Sequence, residues 1–151
     1  MTQEWKIRPI APEDLEAVAA LESLCFSQPW SASALTLLLQ EPGFGVVVLL
    51  GDEVVGYGGM LIGPFEGQVT NIAVHPNHRR RGFGREVTQA LLCAARERSL
   101  EEVSLEVRAS NVGAIAMYQA LGFAVAGRRK NFYNAPTEDG LVMLCSLQSE
   151  G

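Results

Sequence analysis

The residues best suited to chemistry lie between positions 68 and 99. Arg79-Arg80-Arg81-Gly82-Phe83-Gly84-Arg85 places four guanidinium groups around two glycines. A β-like run, Gln68–His75, precedes this segment. A helical pattern follows from Gly84 to about Ser99, with Val87, Leu91, Ala94 and Ala95 on one face. A helix N-terminus carries unpaired N–H groups and about half a positive charge, so it attracts phosphate. Gly82 and Gly84 remove the β-carbons that would hold a pyrophosphate off the backbone, and the arginines add charge around it. A Rossmann loop requires a third glycine where Val87 stands, and a Walker loop requires Gly-Lys-Ser/Thr, which is absent. The segment is therefore an anion site of another kind.

The charge distribution agrees. The 151 residues carry a net charge of −5, but residues 1–66 hold two basic and nine acidic side chains, and residues 67–151 hold ten and eight. Seven of the twelve cations fall in two clusters, the one above and Arg128-Arg129-Lys130, which receives no assignment. An acidic chain that concentrates its cations this way is expected to bind a local anionic ligand, with no direct nucleic-acid partner. Hydrophobic residues at 48% and charged residues at 19% exclude a disordered polymer. No apolar run approaches the ~20 residues of a membrane span, and the start lacks the basic-then-apolar order of a signal peptide. Cys25, Cys93 and Cys145 have no metal spacing and read as reduced packing thiols. His75 and His78 lack partners at ligand spacing, so no metal is expected. A cytoplasmic protein without a membrane partner follows as the expectation.

Two further residues could move protons. In Val103-Ser104-Leu105-Glu106-Val107 the apolar positions alternate, so Glu106 faces away from Leu105 and Val107, toward solvent or a cleft. Asn111, Ile115 and Tyr118 share one helical face, where a tyrosine serves either the core or a site.

The elements that must position these groups form one α/β domain over residues 1–151. Lys6–Ile10 reads as a strand. A helix opens at Pro12-Glu13-Asp14 and runs through Leu15, Val18, Leu21, Leu24 and Cys25, and a second, capped by Ser31, runs to about Gln40. Phe44–Leu50, Val54–Ile62 and Gln68–His75 are strands joined by short turns. Beyond the Gly84–Ser99 helix come a strand at Val103–Val107, a helix at Asn111–Leu121, and strands at Phe123–Arg128 and Leu141–Leu147. An antiparallel N-terminal half joined to a βαβα half predicts one mixed α/β (α+β) central sheet with helices on both faces.

Arg79 to Gly84 resembles the R/Q-x-x-G-x-G/A signature of the GNAT N-acetyltransferases. The resemblance extends through Ser104–Asn111, Ala116–Phe123 and Arg128–Tyr133, and Phe26–Ser31 with its Pro29-Trp30-Ser31, and this combination is similar to the RimI branch, the ribosomal-protein-alanine N-acetyltransferases. It covers nearly the whole chain and implies a single GNAT-type domain that uses acetyl-CoA as co-substrate. It implies that Arg79, Arg80, Arg81, Gly82, Phe83, Gly84 and Arg85 hold the pyrophosphate. Backbone groups of Ile72, Ala73 and Val74 would polarise the thioester carbonyl where the strands part, and Asn111 and Tyr118 would contact the cofactor. Glu106 becomes the general base, with Glu66 as a fallback, and Tyr118 the acid. A free tyrosine titrates near 10 and a thiol near 8.5, so full proton transfer from Tyr118 is uphill by ~2 kcal/mol. Hydrogen-bond stabilisation of the thiolate is therefore expected.

The implied acceptor is the α-amino group of a protein N-terminus, first an alanine of a small-subunit ribosomal protein, met by a monomer or weak dimer. Trp30, Phe65 and Tyr133, with Phe132, are the expected walls of the acceptor groove. Two alternatives stay open at this point. The acceptor could be lysine or a small amine, and the chain could be a catalytically silent acyl-CoA-binding module.

Overall fold

A computed structural model describes residues 4–147. Seven strands form one mixed sheet in the order β1-β2-β3-β4-β5-β7-β6. The first four, β1 (Trp5–Pro9), β2 (Gly43–Leu50), β3 (Glu53–Ile62) and β4 (Glu66–Val74), pair antiparallel in sequence order. The single parallel contact joins β4 to β5 (Glu102–Arg108), and β5 then pairs antiparallel with β7 (Glu138–Ser146), which carries β6 (Phe123–Tyr133) at the edge.

The continuous apolar run of β2 shows why helices cover both faces. Val46, Val48 and Leu50 pack into one core, and Val47 and Leu49 into another. On the first face lie α3 (Phe83–Glu97) and α4 (Val112–Ala120), which contribute Val87, Leu91, Ala95 and Tyr118. On the second lie α1 (Leu15–Cys25) and α2 (Ala32–Leu35), with Val18, Leu21 and Leu35. Gly58 lets α3 sit close on β3, because a β-carbon there would collide with Val87 Cγ1.

Three departures from the sequence reading have local causes. The helix expected from Ser31 to Gln40 is α only to Leu35 and continues as a 3-10 turn over Thr36–Leu39. The tighter winding brings residues three apart into line, which buries both Leu35 and Leu38. Strand β6 runs on to Tyr133, well past the expected Arg128, because Arg128 and Arg129 pair with Leu141 and Gly140 at a solvated sheet edge. Edge residues are polar, so apolar alternation does not mark them. Among the cysteines only Cys145 is a core residue; Cys25 is half-buried, and Cys93 is exposed on α3.

Buried Asp14 anchors the start of α1. Its carboxylate accepts two bonds from Arg8, at 2.7 and 3.0 Å, and one from Ala11 N at 2.8 Å. The Arg8 guanidinium holds the Asp14 carboxyl below its ordinary value despite the opposing effect of burial. A depressed carboxylate pKa contributes stability above the unfolded-state value, near 3.9, and that contribution is lost as pH falls through the lower folded value. Asp14→Asn is therefore expected to cost about 2 kcal/mol at pH 7. Urea unfolding should show its gap from wild type narrowing below about pH 4.

Candidate active site

The site begins where the sheet opens. Strands β4 and β5 pair only at Glu66–Glu102, Gly67–Val103 and Gln68–Ser104, and then part. A bulge lies at the divergence: Gly58 pairs with Ile72 and Met60 with Val69, so Thr70 and Asn71 together oppose Gly59. An extra residue bends its strand, and here the bend falls where β4 leaves β5. From Val69 to Val74 the β5-facing edge of β4 has no strand partner, and half of its backbone groups point into the gap.

Two clefts of ≈ 580 and ≈ 480 Å³ occupy this opening and share Trp30, Asn71, Glu106, Phe132 and Tyr133. They are arms of one groove. The larger also reaches Ile72, Asn111 and Tyr118, and the smaller Glu66, Gln68 and Arg129.

Glu106 sits where both arms meet. On β5, Val103, Leu105 and Val107 are buried and the intervening residues face the groove, as alternation predicts. Glu106 Oε1 lies 3.3 Å from Arg129 Nε. Its Oε2 is buried without a hydrogen-bond partner, the one carboxylate oxygen in that condition among the described residues. Such an oxygen has an unused lone pair to offer a proton. The other buried or half-buried carboxylates nearby are engaged: Glu22 accepts three donors, and Glu138 holds Arg108 and Ser110 N.

Tyr118 serves core and groove at once. It is 8% exposed and meets Phe123 edge-to-face at 5.7 Å. Burial pushes its hydroxyl up to about 12. Tyr133, also raised to about 12 by burial and then by the negative charge of Glu106, is held by Arg108, whose guanidinium lies 4.6 Å from its ring centroid. Arg108 also donates to the Pro136 and Asn134 carbonyls and to Glu138, fastening the β6–β7 end to β5. Asn111 is the N-cap of α4, its side chain accepting from Ala114 N at 3.2 Å, and it lines the larger arm as well.

The candidate anion cradle lies between β4 and α3. Gly82 caps α3 with φ +83°, and no side chain caps the first turn, so its N–H groups stay open for a ligand. Arg80, Arg81 and Arg85 are exposed and lack ion-pair or hydrogen-bond partners among the described residues. Arg79 departs from this group. Its Nε turns back to donate to Val74 O at 3.3 Å, so three guanidinium groups are left around the cradle. A valine at Gly82 cannot hold φ +83° without strain of about 1–3 kcal/mol. Gly82→Val is expected to weaken acetyl-CoA binding at least about tenfold by calorimetry; unchanged affinity would place the anion elsewhere.

Phe65, expected as a groove wall, lies apart from both arms. It is 67% exposed on the β3–β4 turn. The turn sits at the closed end of the strand pair, where Phe65 O accepts from Glu101 N, and its ring points to solvent. Trp30, Phe132 and Tyr133 do line the groove.

A family model described as the acetyltransferase (GNAT) family matches residues 15–123. This chain is a GNAT acetyltransferase. The ribosomal protein bS18-alanine N-acetyltransferase of Escherichia coli K12 is 32% identical over 134 residues, covering 89% of each chain. The N-alpha-acetyltransferase RimI of Mycobacterium tuberculosis is 34% identical over 149 residues, covering 94% of this chain and 92% of its own. The crystal structure of the Escherichia coli ribosomal-protein-S18-alanine N-acetyltransferase superposes with a TM-score of 0.90 at 29% identity, covering 98% of this chain and 97% of that one.

Sequence reasoning missed several residues of this GNAT groove. Thr70 and Asn71 lie in a strand without a motif, and Arg108 and Arg129 lie in segments that carry the resemblance but received no role from it. Glu22 left a usable trace: it follows Leu21 in the apolar stripe of α1, four residues after Val18 and three before Cys25, where an acid is out of place.

Proposed function

We propose that residues 1–151 act as one N-acetyltransferase domain. It transfers acetyl from acetyl-CoA directly to the N-terminal α-amino group of a protein, with the N-terminal alanine of ribosomal protein bS18 as the first acceptor. The observation that carries this reading is the opening between β4 and β5, with the unpartnered Oε2 of Glu106 on one wall and Tyr118 on another. The acceptor class rests on the names borne by relatives at 32–34% identity along most of the chain.

Acetyl-CoA fits the residues present. The uncapped first turn of α3 and three free arginines suit its pyrophosphate, and the vacant edge of β4 suits a pantetheine that pairs with backbone. When bound it supplies an activated acetyl carbonyl and a thiolate leaving group. Glu106 Oε2 takes the proton from the α-ammonium. That proton's pKa of ~8, against ~10.4 for lysine, brings the transfer within reach of a carboxylate near neutral pH. Backbone N–H groups along Ile72–Val74 hold the carbonyl oxygen, and the Tyr118 hydroxyl donates to the sulfur as negative charge develops there. Trp30, Phe132 and Tyr133 enclose the incoming N-terminus and exclude water.

Mass spectrometry of Ala-, Ser- and Lys-presenting peptides incubated with acetyl-CoA tests the assignment. Acetylation at the α-amine of the Ala peptide is the expected result. Modification confined to internal lysine, or none at all, overturns it.

A further inference from the structure

We propose that Glu22 is a positioning residue whose buried carboxylate locks the acceptor wall at Trp30 to the β4 bulge at Asn71. Glu22 projects from α1 and is 0% exposed. Its Oε1 accepts from Trp30 N at 2.8 Å and Asn71 Nδ2 at 3.2 Å, and its Oε2 accepts from Asn71 Nδ2 at 2.9 Å and from the Tyr57 hydroxyl. These partners come from the loop after α1, from β4 and from β3. A single carboxylate thus joins four segments that, among the described residues, have no other polar side chain in common.

The chemistry argues against mere space-filling. Among the described residues no cation touches Glu22, and burying a carboxylate costs several kcal/mol that a leucine of similar volume would avoid. Two of the donors belong to Trp30 and Asn71, which line both arms of the groove. Tyr57 is fully buried and lines neither, so it braces the carboxylate from the core side. The Asn71 side chain is drawn inward at the bulge that accompanies the opening of β4 from β5. Glu22 therefore sets the Trp30 wall, which receives the acceptor, relative to the strand edge along which the thioester lies. This rests on the acetyl-transfer reading of the groove.

Glu22→Gln keeps volume and shape but removes the charge and replaces one acceptor by an amide N–H, so that Tyr57 or Asn71 must turn from donating to accepting to meet it, while Trp30 N can only donate. In a Trp5→Phe background Trp30 is the single tryptophan, so its emission reports the wall without any turnover. The expected result is a red-shifted Trp30 emission and a KM for the Ala-terminated peptide raised about tenfold, with acetyl-CoA affinity within about threefold of wild type. Tyr57→Phe removes one donor and leaves the carboxylate in place. It should move emission and KM the same way by about threefold, and it keeps the test open if Glu22→Gln does not fold. A fold-stabilising role alone would lower Tm and leave both readouts unmoved below the transition. Unchanged Trp30 emission, or a shift with unchanged peptide KM, overturns the proposal. Should no peptide be acetylated by wild type, the acetyl-transfer reading fails separately, and an unmoved emission still overturns the role of Glu22.

Discussion

Glu106→Gln is expected to lower kcat/KM for an Ala-terminated peptide by roughly 10²–10⁴-fold, while acetyl-CoA binds within about threefold of wild type. The substitution preserves shape on β5 but replaces the buried, unpartnered Oε2 with a group that cannot accept a proton at neutral pH. At pH 7 roughly a tenth of an α-amine of pKa ~8 is neutral, which accounts for about tenfold of the loss; the rest comes from the second proton, which leaves the nitrogen as the C–N bond forms and which an amide cannot accept. The lost Arg129 contact explains little of this, since Arg129 is largely exposed and such pairs contribute about 0–1 kcal/mol. The loss should shrink as pH rises through 8 to 9, where the acceptor deprotonates by itself. Steady-state rates from pH 6 to 9.5 and calorimetric acetyl-CoA titration give both readouts. Wild-type rates across neutral pH would remove Glu106 from the base role.

Tyr118→Phe is expected to reduce kcat about a hundredfold with little change in stability, because phenylalanine retains the edge-to-face contact with Phe123. With its hydroxyl raised to about 12, Tyr118 stays protonated throughout the working pH range. Handing its proton fully to a thiolate of pKa ~8.5 would be uphill by about 5 kcal/mol, steeper than reference values imply. Tyr118 is therefore expected to stabilise the leaving sulfur by hydrogen bonding, with solvent completing the protonation. The sign for pH follows. A group that titrates near 12 imposes no alkaline descent below pH 10, so wild type and Tyr118→Phe should show parallel profiles there, separated by a constant factor. An alkaline limb below pH 10 that disappears in the variant would mean the bound site lowers the tyrosine pKa and uses it as a true acid.

Several parts of this site were legible because their signals are local. The glycine-arginine segment before α3 announces an anion cradle through helix-terminus electrostatics, and alternation in β5 turns Glu106 away from the core. Other parts were not, because their signal depends on neighbours distant in the chain. Arg79 carries the same charge as Arg80 and Arg81, yet the carbonyl of Val74 draws it aside. Phe65 looks like any loop aromatic until the closed end of the β4–β5 pair turns it to solvent. Asn111 shares a helical face with Tyr118, but its position at the first turn also makes it a cap.

The opening residues show the division most clearly. From sequence alone came the mixed sheet with helices on both faces, the anion loop and the candidacy of Glu106 and Tyr118. The sheet, the loop and the outward turn of Glu106 are written in periodicity, capping or spacing over a few consecutive residues, whereas the proton-transfer roles of Glu106 and Tyr118 rest on the resemblance carried by Ser104–Asn111 and Ala116–Phe123. Only the tertiary structure decided which carboxylate oxygen is left without a partner, how far the Tyr118 hydroxyl is raised, and that Glu22 ties Trp30 to Asn71. Burial and hydrogen-bond satisfaction depend on groups from 8 to 49 positions away, and no local pattern encodes those meetings.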